Sequence, residues 1–217
     1  MEVITGSLLR KMLLHAGAIL THQKDMVNSL NVFPVPDGDT GTNMSLTLNA
    51  ALKEIEKVES DEVHRITSAL ARGSLMGARG NSGVILSQFF RGFADGLSGV
   101  SAGATAQDLA RALQKSSETT YRAVMKPAEG TMLTVGREAA AAAATAAEEG
   151  AAADTVLRIA YEAAAQAVKD SPKYLPVLKE AGVVDAGGQG LLCIFEGFIA
   201  GLEGKPLEYL ESVEPKA

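Results

Sequence analysis

Tryptophan is absent from this sequence, cysteine occurs once, and aromatic residues make up 5% of the chain. One cysteine cannot form an internal disulfide, and 217 residues can bury a core that needs none. Cys193 stands in the apolar run 191–195, so we interpret it as a buried small hydrophobic residue rather than a nucleophile. Scarce aromatic residues beside 22 glycines and long alanine tracts favour closely packed helices over a β-rich fold.

A basic cluster and a long uncharged apolar segment are also missing. The net charge is −6 at pH 7 without any run of Lys or Arg, which argues against nucleic acid as a partner and favours an anion bound through cations. No segment approaches the ~18 uncharged apolar residues of a transmembrane helix. Residues 16–18 resemble a signal-peptidase site, but Arg10 and Lys11 interrupt the apolar stretch before them. Together with the lone cysteine, these features predict a cytoplasmic protein.

Apolar residues recur at helical spacing along most of the chain. They predict a first helix of about 18 residues, a second over about 43–58, and a last helix that begins at Leu191 after a Gly-rich turn at 181–190. We therefore predict an all-α fold, an antiparallel bundle or barrel of about eight helices. It would form one domain over residues 1–204, with 205–217 as a polar tail or the start of a linker to missing domains.

The loop after the first helix, residues 31–43 (NVFPVPDGDTGTN), carries the most unusual chemistry. Its two prolines favour a rigid, extended backbone, in which Asp37 and Asp39 point the same way. Two converging carboxylates repel each other unless a cation lies between them. An ordinary turn is the simpler interpretation of Asp-Gly and Asp-Thr-Gly. The additional oxygen donors of Asn31, Thr42 and Asn43 favour a metal site.

The ligand types of this loop indicate which metal it would hold. Carboxylate, amide and hydroxyl oxygens suit Mg²⁺, Mn²⁺ or Ca²⁺, and the loop has no Cys or His that would favour zinc. An EF-hand loop that began at Asp37 would need glycine and glutamate where the chain has Thr42 and Leu48. Mg²⁺ usually takes one or two carboxylates and completes its shell with water and substrate phosphates. The loop therefore predicts a phosphorylated ligand.

A second unusual stretch, residues 77–83 (GARGNSG), stands where another helix begins. Free N–H groups at a helix N-terminus bind phosphate, and a Gly-rich entry lets the phosphate approach closely. Ser82 is predicted as the N-cap, as a hydroxyl donor to phosphate, or as both. The P-loop pattern is absent and the glycines of 187–190 lack a preceding strand, so ATP would need another architecture. The loops 31–42, 77–82, 126–131 and 183–190 could meet at one rim of an up-down bundle and form a nucleotide site there.

Four segments together resemble a known family: LNVFPVPDGDTGTNM at 30–44, MGARGNSGVILSQ at 76–88, MKPAEGTM at 125–132 and VDAGGQGL at 184–191. They look like the N-terminal nucleotide-binding domain of bacterial fatty acid kinase, which is similar to the ATP-binding L subunit of dihydroxyacetone kinase. The resemblance covers about residues 1–204. It implies an eight-helix barrel that holds ATP at one end through two Mg²⁺ ions.

The resemblance also implies which residues form the site. Asp37 and Asp39 match the metal-binding, catalytic aspartates, and Asn31 stands where the dihydroxyacetone kinase branch has a third aspartate, as a weaker neutral ligand. The adenine pocket should be aliphatic. Including Thr42 and Asn43 of the acidic loop, the expected nucleotide contacts are Thr42, Asn43, Gly77, Ala78, Asn81, Ser82, Thr131, Met132, Asp185, Ala186 and Gly187.

The implied reaction transfers the γ-phosphoryl group of ATP to a fatty acid carboxylate and gives an acyl phosphate. A carboxylate acceptor needs no general base, so catalysis would consist of positioning and electrostatics. The fatty acid would be held by a separate lipid-binding protein, and dimerisation would occur through domains absent from this sequence. Two alternatives stay open, a dihydroxyacetone-kinase-type subunit and a catalytically silent nucleotide-binding module. Asn31 and the Pro-Val-Pro run favour the fatty acid branch.

Overall fold

The computed structural model describes residues 1–208, so residues 209–217 of the expected tail lie outside it. Two short strands and nine α-helices occur in the described part. In chain order they are β1 Val3–Thr5, α1 Gly6–Ser29, α2 Thr40–Glu56, α3 Val63–Met76, α4 Gly80–Gly96, β2 Gly103–Thr105, α5 Ala106–Ala123, α6 Met132–Glu148, α7 Ala153–Asp170, α8 Pro176–Ala181 and α9 Ala186–Leu202. A 3₁₀ turn, Ser171–Lys173, separates α7 from α8.

The helices pack in chain order, as short connections between antiparallel neighbours require. Each helix from α1 to α6 packs against the next one, and α9 packs against both α7 and α1. The prediction of an all-α antiparallel bundle is confirmed, with eight long helices and the six-residue α8. The antiparallel β1–β2 pair, in which Val3 lies opposite Thr105, was not predicted because three-residue strands leave no periodic signal.

Small residues allow α1 and α9 to approach each other closely. A Cβ added at Gly201 would lie 2.6 Å from the Cα of Met12, so only glycine fits there without moving the α1 backbone. Phe195 of α9 and Leu13 of α1 are fully buried members of the same core. The composition predicted such close packing, and here it determines which residues α9 can carry. None of the helices within residues 1–208 combines the length and the apolar character needed to cross a membrane.

Three predicted boundaries were wrong. Helix α1 has 24 residues and continues to Ser29, beyond the predicted length of about 18, while α4 begins at Gly80, before the predicted N-cap Ser82. Helix α9 begins at Ala186 rather than Leu191. A glycine inside this helix is required at Gly190, where a Cβ would lie 2.5 Å from the sulfur of Met44. Sequence reasoning took these glycines for a turn because it could not see that contact.

Candidate functional site

One end of the bundle contains a cavity of about 430 Å³. Its walls include the first residues of α2, α4, α6 and α9, together with residues from the loops that precede α2 and α6 and with Asp185, which precedes α9. Unpaired N–H groups and the helix dipole make such ends favourable for anions. The lining residues are Asn31, Phe33, Pro34, Val35, Asp37, Asp39, Thr40, Asn43, Gly80, Asn81, Ser82, Ile85, Val124, Lys126, Ala128, Thr131, Met132, Leu133, Asp185 and Gly187.

The carboxylates of Asp37 and Asp39 both line this cavity and are exposed. Gly38 between them has φ 69°, so the backbone forms a left-handed turn, and the predicted extended arrangement is wrong at this point. Asp39 precedes α2 as its N-cap residue, yet its side chain makes no capping hydrogen bond. Neither carboxylate has a hydrogen bond or an ion pair within the described residues. The turn therefore delivers two unused carboxylates to one cavity.

The side chain of Asn31, the third expected ligand, forms hydrogen bonds within the loop. Its side chain is 7% exposed, and its amide nitrogen donates to the carbonyl oxygen of Val35 at 3.0 Å. Its amide oxygen accepts from the Thr40 hydroxyl at 2.7 Å and from the Asp39 N–H at 3.3 Å. Asn31 thus connects both ends of the acidic loop.

The Gly-rich stretch brings only part of its predicted set to the cavity. Asn81 and Ser82 line it, but Ser82 is not the N-cap, because α4 begins at Gly80 after Arg79. Gly77 and Ala78 do not line it. Gly77 instead lies where a Cβ would collide with Ala50 of α2, so this glycine serves the packing of α3 on α2.

Asp185 joins the N-termini of α6 and α9. Its carboxylate accepts from the Gly188 N–H at 2.8 Å and from the Met132 N–H. Burial raises the pKa of Asp185 to about 6, although these two hydrogen bonds act in the opposite direction. Thr131 caps α6 by accepting from the Leu133 N–H at 3.3 Å.

Other predicted contacts divide between the cavity and the surrounding structure. Asn43, Met132 and Gly187 line the cavity, whereas Ala186 does not. Thr42 is also outside it, and its hydroxyl accepts a hydrogen bond from the Asn28 amide at 2.9 Å.

Sequence reasoning missed Lys126. It is the one Lys or Arg among the described lining residues, it is exposed, and it has no hydrogen bond or ion pair within the described chain. Its loop is held by Glu129, which accepts from the Thr134 hydroxyl at 2.6 Å and from the Arg137 guanidinium at 2.8 Å. Although burial raises the pKa of Glu129, these hydrogen bonds hold it below its usual value. The position of Lys126 beside Pro127 in a quoted motif was the available signal.

The remaining cavity wall is apolar. Phe33, Val35, Ile85, Val124 and Leu133 line it, so the expected aliphatic wall also contains one aromatic ring. Within residues 1–208, no group of three or more His, Cys, Asp or Glu side chains is arranged to hold a metal. A cation bound by Asp37 and Asp39 would therefore need water or ligand oxygens to complete its shell, as Mg²⁺ commonly does.

Fold and cavity together define a class: an all-helical domain with two unused carboxylates and several helix N-termini at one end. A family model for the DAK2 domain matches residues 34–200, and the chain belongs to that family. This confirms the dihydroxyacetone kinase part of the resemblance. Its fatty acid kinase branch stays a prediction.

Several bacterial proteins are similar in sequence. The chain is 46% identical over 205 residues to an uncharacterized protein of Staphylococcus epidermidis and 45% identical over 204 residues to Protein YloV of Bacillus subtilis. Both matches cover 94% of this chain and 37% of the relative. The chain thus spans little more than a third of the length of these relatives.

Solved structures share the fold. The crystal structure of the dihydroxyacetone kinase from C. freundii in complex with AMP-PNP and Mg²⁺ matches with a TM-score of 0.66 at 18% identity, over 89% of this chain and 33% of that one. The native form of that kinase matches with a TM-score of 0.61 at 20% identity, over 89% of this chain and 34% of that one. At these identities the similarity establishes a shared fold.

Proposed function

We propose that this domain binds ATP with Mg²⁺ in the cavity and serves the transfer of the γ-phosphoryl group to a fatty acid carboxylate presented by a separate lipid-binding protein in the cytoplasm. The observation that carries the proposal is the meeting of two unused carboxylates, Asp37 and Asp39, with four helix N-termini in one cavity. The solved kinase with the same fold is described as a complex with AMP-PNP and Mg²⁺, which supports this choice of ligand.

In this proposal the acidic residues bind Mg²⁺, and the hydrogen-bond donors and Lys126 bind the phosphates. Asp37 and Asp39 would hold two Mg²⁺ ions, and these ions would supply positive charge against the triphosphate. The N-terminal turn of α4, with Asn81 and Ser82, donates hydrogen bonds to phosphate oxygens. Lys126 supplies a further positive charge at the same cavity. These groups position and stabilise, and no side chain is required to remove a proton from a carboxylate acceptor.

The apolar wall of the cavity would bind the adenine base of ATP. Phe33, Ile85 and Leu133 offer apolar side chains against which a purine base would pack. Met132 and Gly187, at the starts of α6 and α9, lie on the same cavity and belong to the proposed nucleotide contacts.

Exposed apolar side chains beside the cavity support an acceptor carried by a macromolecule. Met125 is 98% exposed, Val35 is 55% exposed and Val84 is 50% exposed. Val35 lines the cavity, and the other two are neighbours in sequence of lining residues. A free sugar would need no such surface, whereas a protein that delivers a fatty acid would cover it. A dihydroxyacetone-type acceptor remains the second candidate because of the shared fold.

Calorimetry on the 217-residue chain tests the nucleotide half of the proposal. We expect ATP to bind only with Mg²⁺, and Asp37→Ala or Asp39→Ala to lower affinity at least about 100-fold, because each removes a direct metal ligand. Asp25→Ala is the matched control, since this exposed aspartate does not line the cavity. Tight binding of ATP without metal would contradict the proposal.

A phosphorylation assay tests the acceptor. The chain, and then a full-length relative such as Protein YloV of Bacillus subtilis, is paired with an acyl-loaded lipid-binding protein or with dihydroxyacetone. We expect phosphoryl transfer to the acyl group only. Transfer to dihydroxyacetone would favour the second candidate, and failure of the longer protein with both acceptors would favour a silent binding module.

A further inference from the structure

The side chain of Asn31 crosses the acidic loop and is satisfied at both of its ends. The carbonyl oxygen of Val35 can only accept, so the amide nitrogen faces it, at 3.0 Å. The Asp39 N–H can only donate, so the amide oxygen faces it, and the Thr40 hydroxyl donates to the same oxygen at 2.7 Å. Two backbone groups therefore fix the orientation of the amide.

The amide oxygen has two lone pairs, and both are used by these donors. Asn31 is also buried, with 7% of its surface exposed. Metal coordination by this oxygen would require breaking at least one of the hydrogen bonds that hold the loop. The residues that Asn31 joins, Val35 on one side and Asp39 with Thr40 on the other, flank the turn at Gly38.

We propose that Asn31 is a positioning residue and not a metal ligand: its amide fixes the turn that aims Asp37 and Asp39 at one cation site. The inference rests on the proposed function only in taking those two aspartates as the ligands. It requires an amide, because one end must donate while the other accepts. A carboxylate at position 31 would lose the donor and would place an acceptor against the Val35 carbonyl.

The ligand role and the positioning role predict opposite effects of Asn31→Asp on Mg²⁺-dependent ATP binding. A carboxylate is a stronger Mg²⁺ ligand than an amide, so a direct ligand role predicts equal or tighter binding and saturation at lower Mg²⁺ concentration. The positioning role predicts weaker binding, by about tenfold or more, as when other outer-shell partners of a metal site are removed. We expect the second result, with a Mg²⁺ midpoint shifted to higher concentration.

The experiment uses the 217-residue chain, with ATP affinity measured by calorimetry at a series of Mg²⁺ concentrations. Asn49→Asp is the matched control, because it makes the same chemical change on α2 at a residue that does not line the cavity. Thr40→Val removes one donor to the Asn31 oxygen with little change in shape, and we expect a smaller loss of the same sign. This second variant keeps the test valid if Asn31→Asp fails to fold.

A ligand-free measurement separates this inference from the proposed function. In amide NMR spectra, Asn31→Asp should shift the signals of Gly38 and Asp39 while the signals of the remote helix α7 stay in place. Unchanged loop signals, or tighter Mg²⁺-dependent binding by Asn31→Asp, would overturn the positioning role. A wild-type chain that binds no ATP with Mg²⁺ would instead refute the proposed function, and the spectra would still decide how Asn31 acts on the loop.

Discussion

At the bundle end away from the cavity, charged and hydroxyl side chains bind the helix ends themselves, whereas at the cavity end several have no partner. Away from the cavity, the Arg10 guanidinium donates to the carbonyl oxygens of Ile55, Val58 and Ser60 at 2.9 to 3.0 Å. Thr105 forms a capping box at the start of α5.

The cavity end contrasts with this arrangement. Asp37, Asp39 and Lys126 have no hydrogen bond or ion pair within the described residues, and Asp185 is a buried carboxylate. The polar groups described at the far end thus stabilise the fold. At the cavity end, Thr131 and Asp185 also hold helix starts, but Asp37, Asp39 and Lys126 remain available for a ligand. The comparison teaches that stability and binding should respond to different substitutions in this chain.

The largest expected effect concerns Asp185, because its buried carboxylate lowers the free energy of unfolding when it is ionised. Its folded pKa of about 6 lies above the ordinary value of 3.8, so the folded state binds the proton more tightly than the unfolded state. Its contribution to stability is therefore present at low pH and is lost as the pH rises from about 4 to about 6. Relative to Asp185→Asn, wild type should lose roughly 2–3 kcal/mol across this range.

Urea unfolding of both proteins at a series of pH values measures this difference. Asp170→Asn serves as the control, because hydrogen bonds from Lys173 and Gln166 lower the pKa of that half-buried carboxyl. If the unfolding free energies of wild type and Asp185→Asn change equally from pH 4 to pH 6, ionisation of Asp185 does not destabilise the fold.

The second effect is at the far end. Arg10→Ala leaves the three carbonyl oxygens at the C-terminal end of α2 without this donor, which should lower the unfolding free energy by about 2 kcal/mol. The affinity for ATP should not change. Lys11→Ala, an exposed neighbour on the same helix, should leave both quantities within about 0.5 kcal/mol of wild type. A loss of ATP affinity in Arg10→Ala would break the proposed division between the two ends.

The smallest effect is at the mouth of the cavity. Lys126→Ala should weaken ATP binding about five- to tenfold, because one charge-assisted contact is lost, and should weaken adenosine binding not at all. Stability should be unchanged because the side chain has no partner to lose. Titrations of ATP and adenosine by calorimetry measure both ligands, and Lys53→Ala, away from the cavity, controls for net charge. Equal losses for Lys126→Ala and this control would remove Lys126 from the site.

Much of the fold and part of the site could be predicted from the sequence, for reasons that differ by residue. Helical periodicity is a local signal, so the long helices could be predicted from the spacing of apolar residues. Asp37 and Asp39 could be predicted as candidate metal ligands because two carboxylates at this spacing in a loop are visible in the sequence itself. The hydrogen bonds of Asn31 and the helical conformation of Gly190 depend on contacts with Thr40 and Met44, and no local sequence pattern shows those contacts.

The location of the first residue has a practical consequence. The Met1 amino group lies 3.2 Å from a carboxylate oxygen of Asp154, at the start of α7 and therefore at the bundle end away from the cavity. Immobilising the chain on a sensor surface through its amino terminus would leave the cavity facing the solution. Such a mounting would suit flow measurements with nucleotides and with a bulky acceptor protein alike, because neither would meet the support.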